Sequence, residues 1–89
     1  RLYFTATLFF YIGTLALKAD FGVHIRKLRD TKNYSLRKVA SQCDLDDSNI
    51  SKIENGKFNV QLSTIIELAK GLEVHPSKLL DYDFDSDTI

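Results

Sequence analysis

The amino-acid sequence predicts an all-α fold: a five-helix globule that follows an apolar N-terminal extension. Between Phe21 and Leu80, apolar residues recur three or four positions apart, which is the spacing of the buried face of a helix. Residues that favour helix starts, among them Ser35 and Asp46, separate these stretches. The same region lacks the alternation of apolar and polar residues that is typical of strands. Eighty-nine residues suffice for one small core, so a two-domain enzyme with an interdomain cleft is excluded.

The first two predicted helices begin at good capping residues. Asp20 is expected to cap helix one, which should end at Asn33 and Tyr34. The inner face of helix one then carries Phe21, Ile25 and Leu28. Ser35 is the predicted cap of helix two. The inner face of helix two carries Leu36, Val39, Ala40 and Cys43.

Helix three follows a tight turn at residues 44–45 and is expected to start at Asp46. Leu45 and Ile50 have the spacing of a hydrophobic staple, which fixes how the chain enters the helix. Residues 55–56, Asn-Gly, are residue types that adopt left-handed conformations, so helix three should end there.

Two further helices are predicted after a loop at residues 57–61. The inner face of helix four carries Leu62, Ile65, Ile66, Ala69 and Leu72. Gly71 lies near the end of this helix. His75 and Pro76 begin helix five, because proline is tolerated at the first helical position. The last inward-facing residues are Leu79 and Leu80.

Residues 1–20 and 81–89 flank the predicted domain of residues 21–80 and differ from it in composition. Residues 2–17 carry no charge and hold five of the chain's ten aromatic residues. Three interpretations stay open for this segment: an element packed on the domain or on a second subunit, a membrane-associated segment, and a non-native leader. As a helix, it would span about 24 Å, short of the roughly 30 Å hydrocarbon core, so a membrane partner is not expected. The four aspartates of residues 81–89 favour a solvated tail, in which Tyr82 and Phe84 remain available for docking.

Charge and cysteine content narrow the class of partner and the compartment. The twelve basic and twelve acidic residues cancel over the whole chain, but residues 21–80 carry a net charge of +3. This mildly basic middle is compatible with a nucleic-acid partner. The single cysteine, Cys43, excludes an internal disulfide, so the cytoplasm is the expected location. Cys43 is expected to be buried as a small apolar residue.

Residues 35–56 have the spacing of a helix-turn-helix: an eight- or nine-residue helix, a three-residue turn, and a second helix with an acidic cap. Four blocks extend this pattern: Ile-Arg-Lys-Leu-Arg (25–29), Ser-Leu-Arg-Lys-Val-Ala (35–40), Asn-Ile-Ser-Lys-Ile-Glu-Asn-Gly-Lys (49–57) and Ile-Ile-Glu-Leu-Ala-Lys-Gly-Leu (65–72). Together they resemble the phage-repressor and Cro-like helix-turn-helix family, also called Xre. The resemblance covers about 60 of the 89 residues.

The resemblance implies a five-helix domain that binds double-stranded DNA, usually as a homodimer, in bacterial or phage transcription control. In such repressors the second helix of the motif lies in the major groove. The family's base-reading positions fall on Asp47, Ser48 and Lys52, with Asn49 and Ser51 beside them. Its phosphate-contacting positions fall on Ser35, Asn55, Lys57 and Asn59. Arg29 and Glu54 occupy the positions of an ion pair between helices one and three.

The residue types at the base-reading positions suit that role. Helical spacing places Ser48, Ser51 and Lys52 on the face opposite Ile50 and Ile53, so the polar face is free while the apolar face packs. Lysine donates to guanine O6 and N7, serine pairs with either base edge, and aspartate accepts from cytosine N4.

Two departures from the family pattern bear on affinity. Leu36 stands where the family usually has glutamine, and Asp44 stands where it often has glycine in the turn. Aspartate is tolerated in a left-handed conformation but at a higher cost than glycine. Asp44, Asp46 and Asp47 also place negative charge at the end of helix three that approaches DNA. We therefore expect weak non-specific affinity and a strong dependence on salt.

Other classes of function find less support in the sequence. His24 and His75 are far apart and have no cysteine or histidine at ligand spacing, so neither a metal site nor a cofactor is expected. No nucleophile with a base, paired catalytic carboxylates or glycine-rich phosphate loop is present, so the protein is not expected to be an enzyme. The alternative hypothesis is an antitoxin-like or accessory protein-interaction module with weak DNA binding, suggested by the acidic cluster.

Overall fold

The computed structural model describes residues 2–83, with side chains from residue 15 onward. Four α-helices follow one another in the chain: α1 (Leu2–Thr31), α2 (Leu36–Ser41), α3 (Asp47–Glu54) and α4 (Leu62–Leu72). A 3-10 helix, Pro76–Leu80, follows them. Residues 2–83 contain no strand, which confirms the all-α prediction, but the count of five α-helices is wrong. Phe84 and the last two aspartates of the tail, Asp85 and Asp87, lie outside the described residues.

The expected start of helix one at Asp20 is wrong, because α1 begins at Leu2 and runs through that position. Asp20 lies in the helix interior, where the preceding turn already supplies carbonyl acceptors and no cap is needed. The end of the helix is as predicted: Asn33 has a left-handed φ of 57° and α1 stops at Thr31. Within residues 2–83, no helix combines the length and the apolar character that a membrane span requires.

The predicted caps of the two central helices are confirmed. Ser35 Oγ accepts the amide of Lys38 over 3.0 Å at the start of α2. Asp46 Oδ1 accepts the amide of Asn49 over 2.8 Å at the start of α3. Each cap satisfies one of the amides that a helix start leaves without a partner.

The turn between α2 and α3 differs from the sequence prediction at Cys43. Because α2 ends at Ser41, Cys43 lies in the turn and is half-buried rather than fully buried on the helix. Asp44 is absent from the residues with positive φ in the described range, so it does not adopt the left-handed conformation that glycine would favour in this turn. Its amide instead donates to Glu67 Oε1 over 2.9 Å, which ties the turn to α4. Gly56, with a φ of 72°, takes the left-handed conformation after α3, whereas Asn55 does not.

The core is a single apolar cluster to which each helix contributes. Its fully buried side chains are Ile25, Val39, Ile50, Leu68, Leu72 and Leu79. Phe21 and Ala69 are buried with them, as predicted. Leu62, Ile66 and Leu80, expected to face inward, are exposed. Leu62 is the first residue of α4 and lies beyond the edge of the small core, which leaves it 74% exposed.

The last element is a 3-10 helix because it is short and begins at a proline. The five residues Pro76–Leu80 close with the bond from the Lys78 amide to the His75 carbonyl, 2.9 Å. The His75 ring caps it by accepting the Ser77 amide over 3.1 Å. Leu79 is thereby buried in the core.

Two glycines allow the helices that carry the motif to approach closely. A Cβ atom at Gly22 of α1 would lie 2.5 Å from the carbonyl oxygens of Ile53 and Glu54 at the end of α3. A Cβ atom at Gly71 of α4 would lie 2.8 Å from Val39 of α2. Because real Cβ atoms do not approach other atoms so closely, only glycine permits this packing.

Candidate nucleic-acid interface

The α2–turn–α3 unit presents one polar helix face to the outside. Ile50 and Ile53 of α3 are buried in the core with Val39 of α2. Ser48 and Lys52, on the other side of α3, are exposed. The apolar side therefore holds α3 on the domain and leaves its polar side accessible.

The predicted base-reading residues all lie on α3, with unequal exposure. Asp47, Ser48 and Lys52 are exposed, whereas Asn49 and Ser51 are half-buried. The three principal base-reading positions are therefore exposed, and the two positions beside them are half-buried. A partner in contact with this face would meet the first three side chains first.

The N-terminal end of α3 is organised by the Asp46 carboxylate. Its Oδ1 atom accepts both the Asn49 amide, over 2.8 Å, and the Ser48 hydroxyl, over 3.0 Å. The Ser48 side chain is thereby tied to the helix cap. Asp44 and Asp47 are exposed on either side of Asp46, so this end of α3 is acidic.

Lys52 lies beside an aromatic residue that sequence reasoning did not single out. Its Nζ atom is 5.6 Å from the centre of the Phe58 ring, a cation–π distance. Phe58 is exposed in the loop after α3 and contributes to a surface cavity of about 180 Å³. An aromatic residue directly after Lys57, in a loop, was the available sequence signal.

The four predicted phosphate-contacting residues lie at or beyond the ends of the two motif helices, and all are exposed. Ser35 Oγ accepts the Lys38 amide, which leaves its hydrogen free to donate. Asn55 Nδ2 donates to the Ser51 carbonyl over 2.9 Å. Lys57 and Asn59 lie in the loop after α3, where the Lys57 amide closes the helix end on the Lys52 carbonyl over 3.0 Å.

An ion pair fixes the C-terminal end of α3 on α1, as the sequence predicts. Arg29 donates to Glu54 through Nε over 2.7 Å and through a terminal nitrogen over 3.0 Å. The other terminal nitrogen donates to the Tyr34 carbonyl over 3.0 Å. The two charged side chains are only 13% and 6% exposed. Hydrogen bonding with Glu54 raises the pKa of Arg29 above its usual value, so the guanidinium stays charged.

The two histidines and the single cysteine contact other parts of the fold. His24 Nε2 lies 2.6 Å from the Lys78 carbonyl, and His75 caps the 3-10 helix. Burial raises the pKa of the Cys43 thiol. The residues that the structure describes include no cluster of three or more histidine, cysteine or acidic side chains able to hold a metal ion.

A helix-turn-helix with a buried apolar side and an exposed polar recognition face defines a DNA-binding protein of the repressor type. Residues 25–79 match the model of a family described as helix-turn-helix. The chain belongs to this family, in its phage-repressor and Cro-like branch, and is a sequence-specific DNA-binding transcriptional regulator.

Two relatives of known class are similar in sequence, and one solved structure is similar in fold. The chain is 44% identical over 63 residues to the control protein C.BamHI of Bacillus amyloliquefaciens, and the matched region covers 70% of this chain and 78% of that protein. It is 41% identical over 64 residues to the control protein C.MunI of a Mycoplasma species, covering 71% and 86%. The crystal structure of the restriction-modification controller protein C.AhdI from Aeromonas hydrophila superposes with a TM-score of 0.69 at 35% identity, covering 73% of this chain and 94% of that chain.

Proposed function

We propose that this chain controls a restriction-modification system by placing α3 in the major groove of an operator. The observation that carries the proposal is the division of α3: Ile50 and Ile53 are buried, and Ser48 and Lys52 are left exposed. The similarity to C.AhdI over 94% of that controller supports the biological role. The chain is then a binding protein rather than an enzyme, and acts in the bacterial cytoplasm, where the operator is.

In this proposal, the exposed face of α3 reads bases. Lys52 donates to guanine O6 and N7. Asp47 and Ser48 contact base edges at the N-terminal end, with Asn49 and Ser51 beside them. The ion pair of Arg29 with Glu54 supports this role, because it holds α3 at a fixed angle to the domain.

The residues around the motif position the protein on the sugar-phosphate backbone. The Ser35 hydroxyl, the Asn55 amide, the Lys57 ammonium and the Asn59 amide can each donate to phosphate oxygens. All four side chains are exposed in the described structure, which supports their availability. Contacts of this kind add affinity without sequence preference.

We propose that the active form is a homodimer that reads two half-sites. Leu62, Ile66 and Leu80 are large apolar side chains with substantial exposure, and a second copy would remove them from water. Half-sites bound by such dimers lie about one helical turn, roughly 34 Å, apart.

Selection of bound sequences from a random duplex pool tests base reading and symmetry together. A wild-type chain that reads bases yields an inverted repeat with defined half-site spacing. Lys52→Ala and Ser48→Ala should each relax preference at particular base pairs by about 1–3 kcal/mol. Lys57→Ala should instead weaken binding to all sequences and lower the slope of the salt dependence by about one. If all three variants gave the same uniform loss, α3 would not read bases.

A second candidate function is favoured by the exposed acidic end of α3. Asp44, Asp46 and Asp47 are all exposed and would repel a duplex. An antitoxin-like or accessory protein-interaction module would have this property. Titration of operator and random duplexes at low salt separates the two, because absence of retardation at micromolar protein with both duplexes favours the module.

A further inference from the structure

The hydroxyl group of Ser48 has its hydrogen already engaged. Ser48 Oγ lies 3.0 Å from Asp46 Oδ1. A carboxylate oxygen only accepts, so the hydrogen of this bond comes from the serine. The same Asp46 oxygen accepts the Asn49 amide over 2.8 Å, and this cap holds the carboxylate in place. Ser48 therefore presents only lone pairs to the exposed side of α3.

We propose that Ser48 selects an amino base, adenine or cytosine, on the DNA strand that it faces. In the major groove, adenine N6 and cytosine N4 donate hydrogen bonds, whereas guanine O6 and thymine O4 accept them. A lone pair of Ser48 pairs with an amino group; opposite a carbonyl it would leave two acceptors without a donor, which costs free energy. A serine with a free hydroxyl would serve both classes of base. The inference rests on the proposed function, in which α3 lies in the major groove.

The neighbouring residues have the hydrogen-bonding character that this selection needs. Asp47 is exposed next to Ser48, and its carboxylate likewise only accepts. Lys52, one helical turn further on, only donates. The outward face of α3 therefore changes from acceptor to donor along its length. A carbonyl-bearing guanine suits the Lys52 end, and an amino base suits the Ser48 end.

The first test changes the DNA and leaves the protein intact. Selection with wild-type protein and with Ser48→Ala identifies the base pair whose preference depends on Ser48. Adenine at that position is replaced by purine, or cytosine by 2-pyrimidinone, because each analogue lacks the amino group. We expect the wild-type affinity to fall about two- to tenfold, as for one lost hydrogen bond. Ser48→Ala should show no such fall; an equal fall with both proteins would overturn the proposal.

A matched control accounts for the weaker base pairing of the analogues. The same replacement is made at an amino base outside the selected positions, and the affinity there should stay unchanged for both proteins. The ratio of the affinity changes at the two positions then reports the Ser48 contact alone.

The second test releases the hydroxyl. Asp46 is the positioning residue in this scheme, and Asp46→Gly removes its acceptor while keeping a residue that is acceptable at a helix start. The lost negative charge should raise affinity for all duplexes alike. The ratio of affinities for amino and carbonyl bases at the Ser48 position should fall about two- to tenfold toward unity. An unchanged ratio in a variant with wild-type helix content would overturn the role of Asp46.

The analogue replacement and the selection together separate failure of this inference from failure of the proposed function, because every base pair presents one amino and one carbonyl base in the major groove. An unchanged wild-type affinity after removal of the amino group at the Ser48-dependent pair would overturn the inference while leaving major-groove reading intact. A wild-type protein that selects no preferred sequence would overturn both.

Discussion

Replacement of Arg29 by alanine should destabilise the domain because it leaves the buried Glu54 carboxylate and the part-buried Tyr34 carbonyl without their donor. Glu54 keeps a charged carboxylate that is only 6% exposed, and the Tyr34 carbonyl loses the 3.0 Å bond from the guanidinium. Breaking a buried pair by removal of one partner costs about 3–5 kcal/mol. Because Arg29 is itself 13% exposed and water reaches one side, we take the lower end, about 3 kcal/mol.

That loss should be visible in thermal and urea unfolding followed by circular dichroism at 222 nm. About 3 kcal/mol corresponds to a fall in Tm of roughly 12–24 °C for a domain of 60–100 residues. Arg29→Lys keeps the charge but loses the two parallel hydrogen bonds to Glu54, so its Tm should lie between the values for wild type and Arg29→Ala.

A double-mutant cycle decides whether the pair itself is responsible. Arg29→Met combined with Glu54→Leu removes both charges and fills the space with apolar side chains, which is often close to neutral in buried sites. The double variant should therefore be more stable than Arg29→Met alone. If the two single losses simply added, with a coupling energy near zero, the assignment of the cost to an uncompensated Glu54 charge would be refuted.

Three further outcomes are expected. Gly22→Ala should destabilise by more than about 2 kcal/mol and weaken specific DNA binding, because the new Cβ meets carbonyl oxygens at the end of α3; wild-type melting and operator affinity would contradict this. Gly71→Ala should cost about 1–3 kcal/mol through its contact with Val39, with a smaller effect on binding specificity, as titration of matched duplexes would show. The pKa of Cys43 is raised, so the stabilising contribution of its thiol is present at low and neutral pH and is lost as pH rises through the folded-state pKa. Alkylation of Cys43 in native protein should therefore be slower than in unfolded protein at pH 8, and equal rates would contradict the raised pKa.

Local sequence signals were sufficient for most of the central motif. Ser35 and Asp46 cap their helices as predicted, because a cap depends on one side chain and an amide three residues away. The burial of Ile50 and Ile53 follows from helical periodicity and is likewise confirmed. The pairing of Arg29 with Glu54 came from the family resemblance and is confirmed by the geometry.

Positions whose state depends on more than the nearest few residues were harder to predict. Asp20 has the residue type of a cap, but it lies inside α1 because the preceding residues are also helical. Leu62 and Leu80 fit the apolar pattern, yet they are exposed because the small core has no surface left to cover them. The backbone of Asp44 is set by its bond to Glu67 of α4, a residue 23 positions away.

The assignment of site residues to bases and phosphates remains a prediction. Phe58, whose ring lies under the Lys52 ammonium, was signalled only by its place in the loop directly after Lys57. The engaged hydroxyl of Ser48 could not be inferred either, since a serine two residues after an aspartate can point elsewhere.

The sequence by itself determined the all-α class, the helix-turn-helix and which face of α3 is polar, because caps and helical periodicity act within a few residues. The tertiary structure decided how closely α1 and α4 approach the motif at Gly22 and Gly71, and how Arg29 anchors the end of α3. These features depend on contacts between residues far apart in the chain, whose distances are set only when the apolar faces pack together.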